Sequence, residues 1–155
     1  MAQTYLKVRP LKLEDFDAWL PLWSGYNAFY GRSGSTALPE IVTATTWDRF
    51  FNPLEPVHAL VAEMGEALVG IVHFHYHRST TRIEPVCYLQ DLYTEPSARR
   101  QGVARALIEA VQCSALAAGS RRVYWQTHVE NRQARKLYDQ MAQHHGFIVY
   151  ALDTP

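Results

Sequence analysis

Residues 94–111 read TEPSARRQGVARALIEAV, and the way this stretch is read decides the fold. Pro96 stops the segment before it. From about Ala98 the apolar side chains keep to one helical stripe through Ala104, Leu107, Ile108, Val111, Ala115 and Ala118. Gly119 suits the C-terminal cap. Positive charge gathers at the mouth of this helix, where Arg99, Arg100 and Arg105 surround Gln101, Gly102, Val103 and Ala104. The first turn of a helix carries unpaired N–H groups and a partial positive charge. A glycine just before it lets an anion reach the backbone without a side chain in the way. Strand, small-residue turn and helix thus form a device for holding phosphate. The spacing is neither G-x-G-x-x-G nor G-x-x-x-x-G-K-[ST], which counts against the dinucleotide and nucleotide loops. On this segment alone, an ordinary strand–helix turn with solvated arginines stays open.

Outward from this helix, the pattern changes period several times. Upstream, PVCYLQDLYTEP (85–96) reads as a strand, and VHALVAE and ALVGIVHFHYHR flank the turn MGE as a hairpin. Further back, TATTWDRFFNP (43–53) predicts a short helix and GRSGSTALPE (31–40) a loop. Phe16, Trp19, Leu20, Trp23 and Tyr26 lie at helical spacing, with Pro21 expected to interrupt or restart that helix. TYLKVRP (4–10) predicts the first strand. Downstream, RRVYWQTHV (121–129) is a strand, NRQARKLYDQMAQHH (131–145) a helix and FIVYALD (147–153) a last strand. The order β-α-α-β-β-β-α-β-α-β implies an α/β (α+β) domain over residues 1–155, with a mixed sheet of about six strands and about four helices. The later strand–helix–strand unit should be a right-handed crossover between parallel strands.

The 155 residues are 48% hydrophobic, enough for one sizeable core. Fifteen basic and fifteen acidic side chains cancel, so no global field points to nucleic acid, and any anion site must be local. Cys87 and Cys113 read as ordinary reduced residues. No signal-like segment or membrane-length apolar run stands out, so a soluble cytoplasmic protein without a membrane partner is the expectation.

A second motif follows the first. Asn131-x-x-Ala134-x-x-Leu137-Tyr138 precedes HHGFIVY. Together with Arg99-x-x-Gly102-x-Ala104 after YLQDLYTEP, it resembles the paired acyl-CoA motifs of the GNAT superfamily of N-acetyltransferases. The element order is similar to that fold over nearly the whole chain. YLQDLYTEP, VYWQTH and LYDQMAQHHGF look most like its histone, polyamine and D-amino-acid acetyltransferase branch. Many members have Gly at the position of Ala104, where alanine is still small.

The resemblance implies acetyl-CoA as cofactor. Backbone groups of Leu92, Tyr93 and Thr94 would meet the pantetheine arm, and Arg99, Arg100, Gln101, Gly102, Val103, Ala104 and Arg105 the pyrophosphate. Asn131 and Ala134 would also serve the cofactor. A possible homodimer, with the last strand as contact, is likewise implied.

Acetyl transfer to an amine needs a held donor, an uncharged nitrogen and a proton for the departing thiolate. Tyr138 lies about two helical turns beyond Asn131 on the same face and is the candidate general acid. A phenol with a pKa of about 10 is protonated at neutral pH. Read without the resemblance, Tyr138 is first a core tyrosine beside Leu137 and Met141, since aromatics at helical spacing are usually core. Glu84 and Asp91 are candidate bases, although Asp91 also reads as a structural strand-end carboxylate. Polyamine-type relatives often carry Glu at the position of Gln90, which cannot take a proton. Gln90, His128, Tyr26 and Tyr30 are candidate acceptor contacts, with Trp23 and Phe29 able to extend an aromatic wall. Those aromatics are also ordinary helix packing.

His73, His75 and His77 alternate on one face of a strand and either line the acceptor cleft or face solvent. No further ligand follows at a diagnostic spacing, so no metal is expected. The expected function is acetylation of a small-molecule amine such as a polyamine or amino acid. The alternatives are a protein lysine or N-terminal acetyltransferase and a non-catalytic acyl-CoA-binding module.

Overall fold

A computed structural model describes residues 5–155. Thr4, the start of the first predicted strand, lies outside them. The chain falls into two compact units, one ending at Trp125 and one running from Gln126 to Pro155.

The first unit is built on five strands: β1 (Leu6–Pro10), β2 (Val57–Met64), β3 (Ala67–His77), β4 (Val86–Thr94) and β5 (Val123–Tyr124). They lie in chain order, antiparallel as far as β4, with β4 and β5 parallel. Its helices are α1 (Phe16–Phe29), α2 (Glu40–Phe51) and α3 (Val103–Ala117). Neighbouring residues of β3 separate the two faces of the sheet. Ile71 joins Trp19, Trp23, Tyr26 and Trp47 in the core beneath α1 and α2. A Cβ added at the adjacent Gly70 would meet Val103 and Leu107 of α3 at 2.7 and 3.0 Å, so α3 covers the opposite face.

Pro21 does not break α1, which runs unbroken from Phe16 to Phe29. The carbonyl that loses its bond belongs to Asp17, and both Asp17 and Pro21 are exposed, so water can satisfy it. Meanwhile the opposite face buries Trp19, Leu22, Trp23 and Tyr26. At the entry to α1, Arg9 of β1 grips Asp15 in a fork of 2.7 and 2.9 Å and reaches Glu63 of β2 at 2.6 Å.

The second unit contains α4 (Arg132–Met141), capped at Asn131. Residues 147–153, expected as a strand, belong to none, and Phe147, Ile148, Val149, Tyr150 and Leu152 are exposed. Apolar, β-prone side chains suggest a strand, but only a partnered backbone makes one. This accounts for five strands where about six were expected. α2 starts earlier than expected, at Glu40 behind Pro39, and α4 stops short of His144 and His145. β5 is reduced to two residues, paired as Cys87↔Val123 and Tyr88↔Tyr124. The ladder ends just where β4 is about to bulge.

Candidate active site

The bulge is the feature that builds the site. Opposite β3, Asp91 pairs with His73, but the next residue of β3, Phe74, pairs with Leu89. Gln90 is thus the extra residue, exposed and without a counterpart. In a regular strand residues 89 and 91 would share a face. The bulge sends them to opposite faces. Leu89 stays with Phe74, while Asp91 turns toward α1 and meets His73.

There Asp91 Oδ2 lies 2.9 Å from His73 Nδ1, and on the far side of the ring Trp19 Nε1 donates to His73 Nε2 at 3.1 Å. All three are buried, His73 with only 2% of its surface exposed. The Tyr26 phenol also lies within electrostatic reach of the Asp91 carboxylate. Rings Trp19, Trp23 and Tyr26 stack along α1 at 5.6 Å spacings, and Tyr26 meets Tyr30 at 5.1 Å. Beyond α1, Arg32 is held by the Asn27 carboxamide at 2.7 Å, with its guanidinium 5.7 and 5.5 Å from the Tyr26 and Tyr30 rings.

Tyr26 and Asp91 are buried in this corner, whereas Tyr30 stays partly exposed. Burial first, and then the Asp91 charge, push the Tyr26 and Tyr30 phenols up. Tyr88 moves the same way through burial, with Tyr124 and Asp91 adding to it. Burial lowers His75, which packs edge-on against Tyr88. Tyrosines that stay protonated beside a carboxylate offer hydroxyl donors and apolar ring faces, a surrounding that suits a cationic amine.

The second feature lies at the far end of β4. Past Tyr88 the strand has no ladder to β5, although it continues to Thr94. Thr94 Oγ1 is buried without a hydrogen-bond partner. After Thr94 the chain turns through Arg100, at φ +62°, and Gly102, at φ +83°, into α3. Gly102 at the N-cap offers no side chain to cap this helix, and the N–H groups of any helix's first turn find no acceptor within the helix itself. A left-handed backbone suits glycine, and a non-glycine residue there costs about 1–3 kcal/mol, so the strain at Arg100 points to a used backbone. Arg99 folds back on the Thr94 carbonyl at 3.2 Å, and Gln101 bonds the Ser97 carbonyl at 3.1 Å. Tyr93 packs so tightly on α1 that a Cβ at Gly25 would stand 2.4 Å from its hydroxyl. The open strand edge, the orphaned hydroxyl and the uncapped helix fit a pantetheine diphosphate.

The structure brings Tyr26, Tyr30 and Asp91 together, and gathers Leu92, Tyr93, Thr94 and the 99–105 loop at the strand end. Glu84 sits before β4, paired with Arg82 at 3.5 Å. The three histidines part company. His73 is sealed in the core rather than exposed to a cleft or solvent. His75 is half-buried, and His77 is exposed and bonded to the Tyr124 hydroxyl at 2.8 Å. Sequence reasoning missed Trp19, His73 as a partner of Asp91, and Arg32. The alternation HFHYH was the available signal for His73, but nothing local announces the bulge. In the second unit, Asn131 donates to Thr127 Oγ1 at 3.0 Å, and His128 Nδ1 accepts from the Glu130 N–H at 3.1 Å. Among the described residues no cluster of three His, Cys, Asp or Glu is placed to hold a metal, and no helix is long and apolar enough to cross a membrane.

Residues 19–143 match the Acetyltransferase (GNAT) family, and the chain belongs to that family. It is 33% identical over 153 residues to the D-amino-acid N-acetyltransferase HPA3 of Saccharomyces cerevisiae, covering 97% of this chain and 92% of that protein. It is 30% identical over 102 residues to the thialysine N-epsilon-acetyltransferase of Caenorhabditis elegans, covering 63% of each. An aminoglycoside N-acetyltransferase solved in complex with CoA shares the fold at a TM-score of 0.81 and 17% identity, over 97% of this chain and 96% of that one. The chain is an acyl-CoA-dependent N-acetyltransferase with acetyl-CoA as its cosubstrate, which removes the non-catalytic reading.

Proposed function

We propose that the acceptor is the primary amine of a small molecule carrying a carboxylate, an amino acid or a close relative, acetylated by direct attack in a ternary complex. The observation that carries this is that one aromatic corner, Tyr26 with Tyr30, has a buried carboxylate, Asp91, and a separate guanidinium, Arg32, beside it. Asp91 suits an ammonium and Arg32 a carboxylate. The names of the yeast and nematode relatives, a D-amino-acid and a thialysine acetyltransferase, agree with such an acceptor. Arg32 favours it over a lysine side chain within a protein, whose carboxyl is tied up as an amide.

Acetyl-CoA supplies the activated acetyl group when bound. The chain supplies the rest. Asp91, rather than the Arg82-paired Glu84, takes one proton from the acceptor ammonium and exposes the nitrogen lone pair. The backbone from Leu92 to Thr94 orients the acetyl carbonyl, and the loop from Arg99 to Arg105 holds the diphosphate. Tyr138 gives a proton to the departing sulfur and is restored by the second proton, which the nitrogen sheds as its amide forms. Asn131 and Ala134 serve the pantetheine arm, and Gln90 and His128 the acceptor. These assignments in the second unit rest on the sequence motif. A single working domain, a cytoplasmic location and a homodimer using the exposed residues 147–152 complete the proposal. Sedimentation as a monomer at micromolar concentration contradicts the dimer.

The test is a set of initial rates on D- and L-amino acids, their decarboxylated amines, polyamines and lysine peptides. Arg32→Ala should raise KM about tenfold for acceptors with a carboxylate and leave the decarboxylated amines nearly unchanged. An equal change in both sets overturns the amino-acid assignment. Tyr138→Phe should lower kcat on the order of 100-fold with acetyl-CoA binding kept. Normal turnover removes Tyr138 from the mechanism.

A further inference from the structure

We propose that Trp19 and His73 form a tautomer lock that aims Asp91 and leaves it without a cation of its own, so that the acceptor ammonium becomes its counter-ion. The inference rests on the reading of Asp91 as the acceptor's proton-taking group.

An indole N–H only donates. With Trp19 Nε1 3.1 Å from His73 Nε2, that nitrogen accepts and carries no proton. The ring proton therefore sits on Nδ1 and is donated to Asp91 Oδ2 across 2.9 Å. A second proton would have to displace the Trp19 bond inside a fully buried cluster, so the imidazolium is shut out. What looks like a salt bridge is a neutral donor on an anion. Among the described residues, His73 is the one basic side chain within ion-pair range of Asp91.

A carboxylate only 8% exposed, with hydrogen bonds but no compensating charge, is a costly thing to leave in a fold. An arriving ammonium relieves that cost, which ties recognition of a cation to the group that then takes its proton. His73 is a positioning residue here and Trp19 acts through it. Both belong to the packing under α1 and would otherwise pass for core.

The groups facing this dyad are few. From α1 come Trp19 and Trp23 against His73, with Tyr26 and Tyr30 toward Asp91. α2 contributes the Phe50 ring, and β2 places Ala59 opposite His73. β3 and β4 add His75 and Tyr88, both within electrostatic reach of Asp91, and Arg32 stands over the Tyr26 ring.

The tautomer is read on the unmodified protein by two-bond ¹H–¹⁵N correlation of its imidazoles. His73 should show a neutral ring protonated at Nδ1, and a doubly protonated or Nε2–H ring overturns the lock. His73→Asn keeps a donor where Nδ1 stood, and His73→Leu does not. The leucine variant should lose on the order of 10- to 100-fold in kcat/KM for the acceptor, and the asparagine variant within about fivefold, with the thermal shift from acetyl-CoA retained in both. Equal losses in the two make His73 merely structural. Trp19→Phe releases Nε2, so a new acidic limb in the pH profile of kcat/KM should appear, absent from the parent. Superposable profiles overturn the proposal. If Asp91→Asn is itself harmless, the base assignment fails instead, whatever tautomer His73 shows.

Discussion

Two places on β4, the bulge at Asp91 in mid-strand and the C-terminal end at Thr94, solve opposite problems with opposite materials. At Thr94 and the mouth of α3 the working groups belong to the backbone: an open strand edge, a left-handed Gly102 and the first N–H groups of a helix. At Asp91 they are side chains drawn from α1, β3 and β4, far apart in sequence and assembled by one bulge. The mouth suits a diphosphate, which every acyl-CoA shares. The pocket suits the acceptor, which differs from one acetyltransferase to another. Side chains can be exchanged without disturbing the sheet, whereas backbone geometry must be kept, so common chemistry sits on the backbone and particular chemistry beside it.

The sharpest way to break this division is Asp91→Asn. The variant should lose on the order of 10²–10⁴ in kcat/KM for the acceptor, since it can no longer take a proton. Its stabilisation by saturating acetyl-CoA in a thermal melt should match the parent. A loss of that stabilisation would mean that the two sites are not separable. The reciprocal variant is Gly102→Val. A Cβ there meets open space, so its effect comes through φ alone. A β-branched residue strained by about 1–3 kcal/mol should raise KM for acetyl-CoA roughly tenfold and leave KM for the acceptor in place. A larger change on the acceptor side would show that the mouth shapes the pocket.

The same division explains how much could be read beforehand. Gly102, Ala104 and the arginines around them announce their role locally, because a turn and a helix start are local events. The element order followed from changes of period, and Pro21 misled only because its lost bond falls on the wet side of α1. Asp91 was legible as a candidate, but its environment was not. That required knowing that Gln90 is an extra residue, which depends on the register of β3 against β4 and leaves no trace in the spacing of YLQDLYT. His73, met in an alternating HFHYH, looks like its two neighbours until the sheet is assembled and only it falls beneath α1. The strand expected at 147–153 has the right side chains, yet it lies in a unit where they are exposed.

A second carboxylate supplies a control for the pocket. Asp15, like Asp91, is buried at the edge of the α1 packing, but it has its own cation, held in a two-pronged bond by Arg9. That bond, ahead of the opposing effect of burial, holds the Asp15 carboxyl below its usual range. A depressed folded-state pKa contributes stability that is fully present above the unfolded value of about 3.9 and is lost as pH falls through the folded value. The melting midpoint should therefore drop between pH 5 and pH 3, by roughly 2–4 °C for each kcal/mol lost. Asp15→Asn should flatten that drop while leaving kcat/KM at neutral pH unchanged. Asp91→Asn should do the reverse, cutting kcat/KM on the order of 10²–10⁴ without lowering the neutral-pH midpoint, because it removes the cost of a buried charge that lacks a cation. If both variants cost stability alike, Asp91 is a structural carboxylate and the acceptor's ammonium must be met elsewhere.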